Sequence, residues 1–482
     1  MRTSILSSSP QFIHALVTAG VALSVGLAIA VTADPVVIVA LAVAAGAAVA
    51  FAMTRSEAAR RSFLVSALTF SFVWSGWRRD TGFIVLEPWM IVLPMCFVVW
   101  AGEVVVRRRL TRLDGVGILA LFVMLTAWLS FLGAVDVLTW LKRASKITLL
   151  FGLYLLLVNW ANEKRQLSAL IRAGFFGCAV AGATISMQMT RAWLSYGLID
   201  VFGAPGTFAN GNEAATFLAL FILVGLALYA SGVHSEVVNR RALFATLSVI
   251  AVGVLLTRSR TGVVAVIAAS AMLFIRTARV RRLVLGAVAL LVVLGLITPT
   301  RIVVDRLLAT VGMSGNEEYD AFIQAGGVAR IYLLEVYWTV VKANPVFGIG
   351  AGNYGFISSL GIALPSPPAG LMISAETLLN LSPHNGFISW WVEAGTVGFG
   401  AFLVSLLYSV FALARARRRW LKQQRGDRWW YAVATGALGG LVVFILTNLT
   451  ADFGVSEVRY WLLLALTTIC VRHLRKVGGA AG

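Results

Sequence analysis

The chain has 482 residues, 59% of them hydrophobic and 13% charged, with 40 basic against 21 acidic side chains and a net charge of +19. Water-soluble domains carry about a quarter charged residues, and a mean hydropathy of +0.87 spreads the apolar excess over the whole length. A soluble enzyme, a disordered scaffold and a disulfide-rich secreted module are thereby excluded, and a polytopic α-helical membrane protein remains. A transmembrane barrel would show ~10-residue alternating segments instead. In such a protein the excess of Lys and Arg belongs to cytoplasmic loops rather than to a nucleic-acid surface, so no nucleic acid partner is expected.

A helix needs ~20 apolar residues to cross a ~30 Å hydrocarbon core. Candidate spans fall at 11–31, 35–53, 62–77, 82–101, 115–135, 139–160, 166–188, 212–231, 242–257, 262–275, 283–300, 384–412, 431–450 and 457–472. The expected fold is all-α, a transmembrane helical bundle of about 12–14 spans. The first run is followed at once by another, so it reads as a span rather than a cleaved signal peptide.

Basic clusters follow every even-numbered span: Arg55/Arg60/Arg61, Arg107–Arg109 with Arg112, Lys164/Arg165/Arg172, Arg240/Arg241, Arg276/Arg279/Arg281/Arg282, Arg415 to Arg428, and Arg472/Arg475/Lys476. With Arg2 they hold about two thirds of all basic residues, which places that side and both termini in the cytoplasm. The opposite face receives 189–211, the short link Thr257–Thr261, and a segment of roughly 80 residues, 301–383, between the eleventh and twelfth spans. Loops that long are usually functional, so the chemistry is expected on that face.

Cys96, Cys178 and Cys470 lie inside apolar stretches and read as packing residues. His14, His234, His384 and His473 share no ligand spacing, so no metal site is expected. In the long loop, Gly326-Gly327 precedes a helix expected over Val328–Lys342, with Arg330 in its first turn and Asn344-Pro345 as its stop. The following run Gly348-Ile-Gly-Ala-Gly352 has no preceding strand and is not a dinucleotide fingerprint. It reads as a tight turn that brings backbone close to a ligand or a neighbouring helix.

Ser382 and Pro383 suit an N-cap and a first helical position. That places His384 in the first turn of a membrane helix, where the helix dipole favours neutral imidazole and free N–H groups suit a phosphate. A plain interfacial hydrogen bond is the alternative. Arg191, Arg258, Arg260 and Arg330, with Lys142, Arg143 and Lys146, form a cationic set on the same face, and arginine matches phosphate oxygens in bidentate geometry. Snorkelling to headgroups accounts for Arg78, Arg79, Arg301 and Arg306. It fits Arg258 and Arg260 less well, because their link can barely leave the bundle. Asn210, Asn212 and Glu213 stand at a span entrance, where they can bind sugar hydroxyls or cap a helix. At about 100° per residue, Glu393 is expected half a turn away from His384 and outside its pocket.

Four segments in order resemble the O-antigen ligase and O-antigen polymerase superfamily of bacterial membrane glycosyltransferases: Gly206-x-Phe208-x-Asn210-x-Asn212, Ser259-Arg260-Thr261-Gly262, Arg330 followed by Asn344-Pro345-x-x-Gly348-x-Gly350, and His384-Asn385-x-Phe387-Ile388 with Glu393-x-Gly395-x-Val397-Gly398. The match covers roughly 200–410. It departs at Asn344-Pro345, where many members have His-Pro.

The resemblance implies N-terminal transmembrane helices over 1–190, a catalytic region over 191–410 that includes the periplasmic loop 301–383, and C-terminal helices with a cytoplasmic tail over 411–482. It implies a metal-independent, cofactor-free glycosyltransferase of the bacterial inner membrane, acting at the periplasmic face on a glycan linked to undecaprenyl diphosphate. His384 would be the catalytic base. Arg260, Arg330, Arg258 and Arg191 would hold the diphosphate, and Asn210, Asn212 and Asn385 the glycan. Membrane lipids and polysaccharide chain-length or export proteins are the expected partners. A polysaccharide polymerase (O-antigen or exopolysaccharide) is preferred because no soluble domain grips a protein acceptor. A ligase acting on lipid A–core and a transporter of lipid-linked glycan are the alternatives, although few ionisable residues are expected at mid-membrane, Glu87 being the main one.

The sidedness has a direct check. Cysteines placed at Ser314 and Ser366 are expected to label from outside intact cells, and one at Gln424 is not. Labelling of Gln424 with Ser314 protected reverses the orientation.

Overall fold

Apolar runs become stable helices where their terminal N–H and C=O groups find partners. In a computed structural model of the chain, the structure describes residues 56–80, 85–107, 113–196, 204–274, 281–282, 317–366, 383–422, 427–452 and 454–479. Its helices are α1 (Glu57–Ser71), α2 (Pro88–Arg107), α3 (Gly115–Leu129), α4 (Val137–Trp160), α5 (Lys164–Tyr196), α6 (Gly211–Ala230), α7 (Arg240–Leu256), α8 (Arg260–Phe274), α9 (Glu317–Ala343), α10 (Gly386–Lys422), α11 (Arg428–Asn448) and α12 (Val458–Gly479). The side chains of Asp114, Asp136, Asn210, Asn239 and Asp427 cap α3, α4, α6, α7 and α11, each accepting a backbone N–H from the first turn. A two-residue antiparallel pairing, Arg79 with Leu86 and Asp80 with Val85, joins α1 to α2.

Among the described residues six helices are long and apolar enough to cross a membrane: α2, α3 with its 3-10 continuation to Gly133, α5, α6, α10 and α11. The chain is thus a multi-pass helical membrane protein. Helices α1, α4, α7, α8 and α12 occupy other expected spans but are shorter or more charged. The candidate spans 11–31, 35–53 and 283–300 lie outside the described residues. Helices α6 and α11 are interior, each with 78% of its apolar window buried. α11 packs on α6, α8, α10 and α12, and the core there is aromatic, with Trp160, Trp429, Trp430, Tyr460 and Trp461 fully enclosed. The three cysteines are buried and free.

The long-loop helix differs from its expected span. It begins at Glu317 and runs through Gly326-Gly327, so Arg330 lies in mid-helix rather than in a first turn. A glycine costs only about 1 kcal/mol in a helix. Burial of Tyr332, Leu333, Val336, Tyr337 and Val340 in a small second core, shared with Ile349, Ile357 and Val392, offsets that cost. The stop before Asn344-Pro345 is as expected.

Helix α10 is broken near its start by Gly395, whose backbone lies at φ 64°, ψ −170°. The carbonyls of Val392 and Glu393 accept instead from the N–H groups of Ile349 and Gly350 at 2.9 and 3.0 Å, and the Thr396 N–H donates to Pro345 at 2.8 Å. A Cβ at Gly395 would strike the Val346 carbonyl, and one at Gly348 the Val392 carbonyl. The glycine run therefore serves a neighbouring helix. The same segment is tied to the α3–α4 turn: Val135 N–H donates to Ile349 O at 3.2 Å, Ala351 N–H to Ser130 Oγ at 3.0 Å, and Asp136 N–H to Asn353 Oδ1 at 2.7 Å.

Two alanine substitutions should move stability in opposite directions. Gly395→Ala forces both a left-handed φ and a backbone clash, and should cost about 2 kcal/mol or more, read as a lower melting temperature in detergent. Gly327→Ala, where an added Cβ meets nothing within 4 Å, should raise stability by roughly 0.5–1 kcal/mol.

Candidate active site

At one end of the bundle the links α1–α2, α5–α6 and α11–α12, the second turn of α4, the 3-10 turn Asn353–Leu360 and the start of α10 surround a cavity of about 400 Å³. Its walls include Arg78, Arg143, Asn210, Asn212, Glu213, Tyr354, His384, Ser389, Glu393, Asp452 and Glu457. Each of these comes from a segment that the charge pattern assigns to the face opposite the basic clusters.

His384 does not sit in a helical first turn. The helix starts at Gly386, and its cap is Asn385, whose Oδ1 accepts from Phe387 and Ile388 N–H at 3.1 Å each. Ser382, the expected cap, lies outside the described residues. His384 adopts φ +50°, a left-handed backbone that costs a non-glycine residue about 1–2 kcal/mol. Asp452 holds it there: Oδ2 accepts the His384 N–H and Oδ1 the Asn385 N–H, both at 2.9 Å, and Oδ1 also accepts Ser389 Oγ at 2.5 Å. The Gly386 N–H goes to the Ala451 carbonyl at 3.0 Å. The amides expected to be free for a phosphate are therefore already used.

The imidazole is 41% exposed, with Nδ1 4.0 Å from Asp452 Oδ2. Burial pushes its pKa below the ordinary imidazole value, Asp452 pulls it back up, and the Arg330 guanidinium adds to the lowering. The site thus holds a neutral base with Nδ1 turned towards a carboxylate, which leaves Nε2 to take a proton.

Glu393 shares this cavity, contrary to the half-turn expectation. A half-turn separation holds only for a helix that includes His384, and the helix starts at Gly386. Once the chain leaves its left-handed turn, Ser389 and Glu393 stand one turn apart on one face. Glu393 is buried and pairs with Arg143 Nη2 at 3.5 Å. Arg78 is likewise no snorkelling residue: its Nε donates to Ser75 O at 2.8 Å and its Nη2 reaches Glu213 at 3.5 Å. Glu213 also accepts Ser75 Oγ at 2.5 Å. Arg459 donates to the Glu213 carbonyl at 3.0 Å and to Glu457 at 2.9 Å. More ionisable residues are buried than the sequence reading allowed, but Glu87, Glu213, Glu393 and Arg459 lie beside or within two turns of helix N-termini, not at mid-helix.

The remaining expected residues divide. Asn210 caps α6 through Glu213 N–H at 2.8 Å, and Asn212 Oδ1 accepts Ser259 Oγ at 2.6 Å, so both are structural and also line the cavity. Asn385 caps α10 and does not line it. Arg258 is buried at φ +56° and Arg260 opens α8; Thr261 Oγ1 meets Thr450 Oγ1 at 2.7 Å, which joins their link to the turn that carries Asp452. Arg330 is exposed on α9 and acts electrostatically on His384. Arg191 is exposed near the end of α5 and is not among the described residues that line the cavity. Among the described residues no three His, Cys, Asp or Glu side chains are placed to hold a metal.

The residues missed are Asp452, Arg78, Tyr354 and Glu457. Asp452 had one legible signal: it is a carboxylate in the short link between two spans on the same face as His384.

Residues 243–403 match the family described as O-antigen ligase. No curated protein matches the chain.

The opposing neighbours of His384 give a titration test. Arg330→Ala should raise its pKa and Asp452→Asn should lower it further, read by NMR of labelled imidazole and assigned with His384→Gln. Because the folded value is depressed, the contribution of His384 to stability is intact above the ordinary imidazole value and falls as pH drops through it towards the folded value.

Proposed function

We propose, for a chain that residues 243–403 place in the O-antigen ligase and polymerase superfamily, that it polymerises a glycan carried on undecaprenyl diphosphate at the periplasmic face of a bacterial inner membrane. The observation that carries this reading is the placement of His384, its Nδ1 facing Asp452, at the edge of a polar cavity at one end of the helical bundle.

In the step this supports, an acceptor hydroxyl gives its proton to His384 Nε2 as its oxygen bonds to the anomeric carbon. The bond from that carbon to the phosphate oxygen breaks, and the electron pair leaves with the diphosphate. Asp452 stabilises the imidazolium that forms. Arg330, already felt by His384, and Arg260, on the link tied to the Asp452 turn, supply positive charge for the leaving group. Arg258 sits beside them on that link. Arg191 belongs to the set by its place in the sequence and does not line the cavity. The proposed step uses no metal, and chelation is the test of that point.

Purified protein with labelled lipid-linked glycan should form new glycosidic bonds. New linkages on lipid-linked repeat units support the polymerase, and linkages on lipid A–core would make it a ligase. Movement of glycan without new linkages would make it a transporter. His384→Ala should lower turnover about 10²–10⁴-fold with donor binding little changed, and Arg260→Lys or Arg330→Lys should rescue only part of the alanine loss. Near-normal turnover in folded His384→Ala, or loss of wild-type turnover with EDTA, refutes the metal-free histidine mechanism.

A further inference from the structure

The mechanism uses the rim of the cavity and leaves its interior without an occupant. We infer that this interior is the subsite of the acceptor sugar, and that it takes an uncharged glycan. The inference rests on the glycosyltransferase reading of His384.

The first argument is where phosphate is excluded. Arg258, Arg260 and Arg330 are not among the residues that line the cavity. The N–H groups of His384, Asn385 and Gly386 are taken by Asp452 and Ala451. The diphosphate therefore belongs outside the cavity, on the Arg330 side of His384. His384 lines the cavity and also feels Arg330, so it stands between two spaces, and the interior falls to the hydroxyl partner.

The second argument is charge. Three guanidiniums stand in or beside the cavity, and a carboxylate holds each one: Arg78 with Glu213, Arg143 with Glu393, and Arg459 with Glu457. Asp452 adds a fourth carboxylate, while His384 is held towards its neutral form. A uronic acid or another acidic sugar would have to compete with the carboxylates already seated on those guanidiniums. Sugar hydroxyls, in contrast, donate to carboxylate oxygens. The buried Nε–H of Arg143 has no hydrogen-bond partner among the described residues, and an unmet buried donor gains most from a ligand oxygen. A hydroxyl or acetamido oxygen meets that need without adding charge. Tyr354 is part of the wall, and about 400 Å³ lies within the common range of small-ligand pockets.

The test is saturation-transfer NMR on the full chain in detergent, with chitotriose, maltotriose and mannotriose as neutral probes and trigalacturonate as the acidic one. At least one neutral trisaccharide should receive saturation, and trigalacturonate should receive little or none. The neutral signal should fall at least ~5-fold in Arg143→Gln and in Tyr354→Ala, the loss of about one hydrogen bond, with both variants shown folded by their melting temperatures. It should persist in the presence of inorganic diphosphate. Absence of binding by every neutral probe, equal binding of trigalacturonate, indifference to both cavity variants, or displacement by diphosphate each overturns the inference. None of these readings needs turnover. A wild type that binds the probe as described but transfers no glycan would sink the catalytic reading and leave the sugar site standing.

Discussion

The Asp452 carboxylate is the contact on which the site depends. It lies in the link between α11 and α12, yet its two oxygens take the backbone N–H groups of His384 and Asn385 and the hydroxyl of Ser389. One side chain thus fixes the left-handed turn of His384, the start of α10 and the approach of two distant segments. A charged acceptor on backbone donors makes short, strong hydrogen bonds, and these offset the backbone cost at His384. The same carboxylate then faces Nδ1 of the imidazole it has positioned. Shape and chemistry are joined at that point, because the group that builds the turn also favours the protonated form of the base.

Much of this was legible in the residues, for physical reasons that differ from place to place. Membrane helices announce themselves by length and apolarity, and the charge alternation correctly grouped the segments that meet at the cavity. The link carrying Arg258 and Arg260 was expected to stay in the bundle, and Arg258 is buried. What failed was local geometry that neighbours decide. Two glycines in a row read as a boundary, whereas α9 runs through them and packs its following turns on the loop core and α10. Glu393 faces away from the pocket only if one continuous helix runs from His384, and the left-handed turn there breaks that count. Asp452 was overlooked because a single carboxylate in a short link has no spacing to recognise, and its partner lies 68 positions away.

The cavity also shows how a membrane protein keeps several charges in one place. Bare buried ions are costly, and each carboxylate here is matched by a guanidinium, a hydroxyl or backbone N–H groups. The pairs come from different helices: Glu393 on α10 with Arg143 on α4, and Glu213 on α6 with Arg78 from the α1–α2 link. Such pairs specify which helices meet at this end, while the aromatic core around Trp461 and Tyr460 supplies the non-directional attraction.

The break at Gly395 divides α10 into two mechanical parts. The short outer piece, from Gly386 to Glu393, is stitched by its last carbonyls to Ile349 and Gly350, and so is continuous with the segment that leaves α9. The longer inner piece belongs to the bundle. Asp452 and Arg143 reach the outer piece from the bundle, whereas Val392 packs with the loop core. Ser389 and Glu393 are thus carried on a short rod clamped at both ends, with a glycine joint separating it from the transmembrane shaft. The shaft gives its own first N–H groups, those of Thr396 and Val397, to the Pro345 and Val346 carbonyls, and the Trp390 indole N–H reaches the Gly398 carbonyl across the joint, so the angle between rod and shaft is fixed by the chain's own bonds.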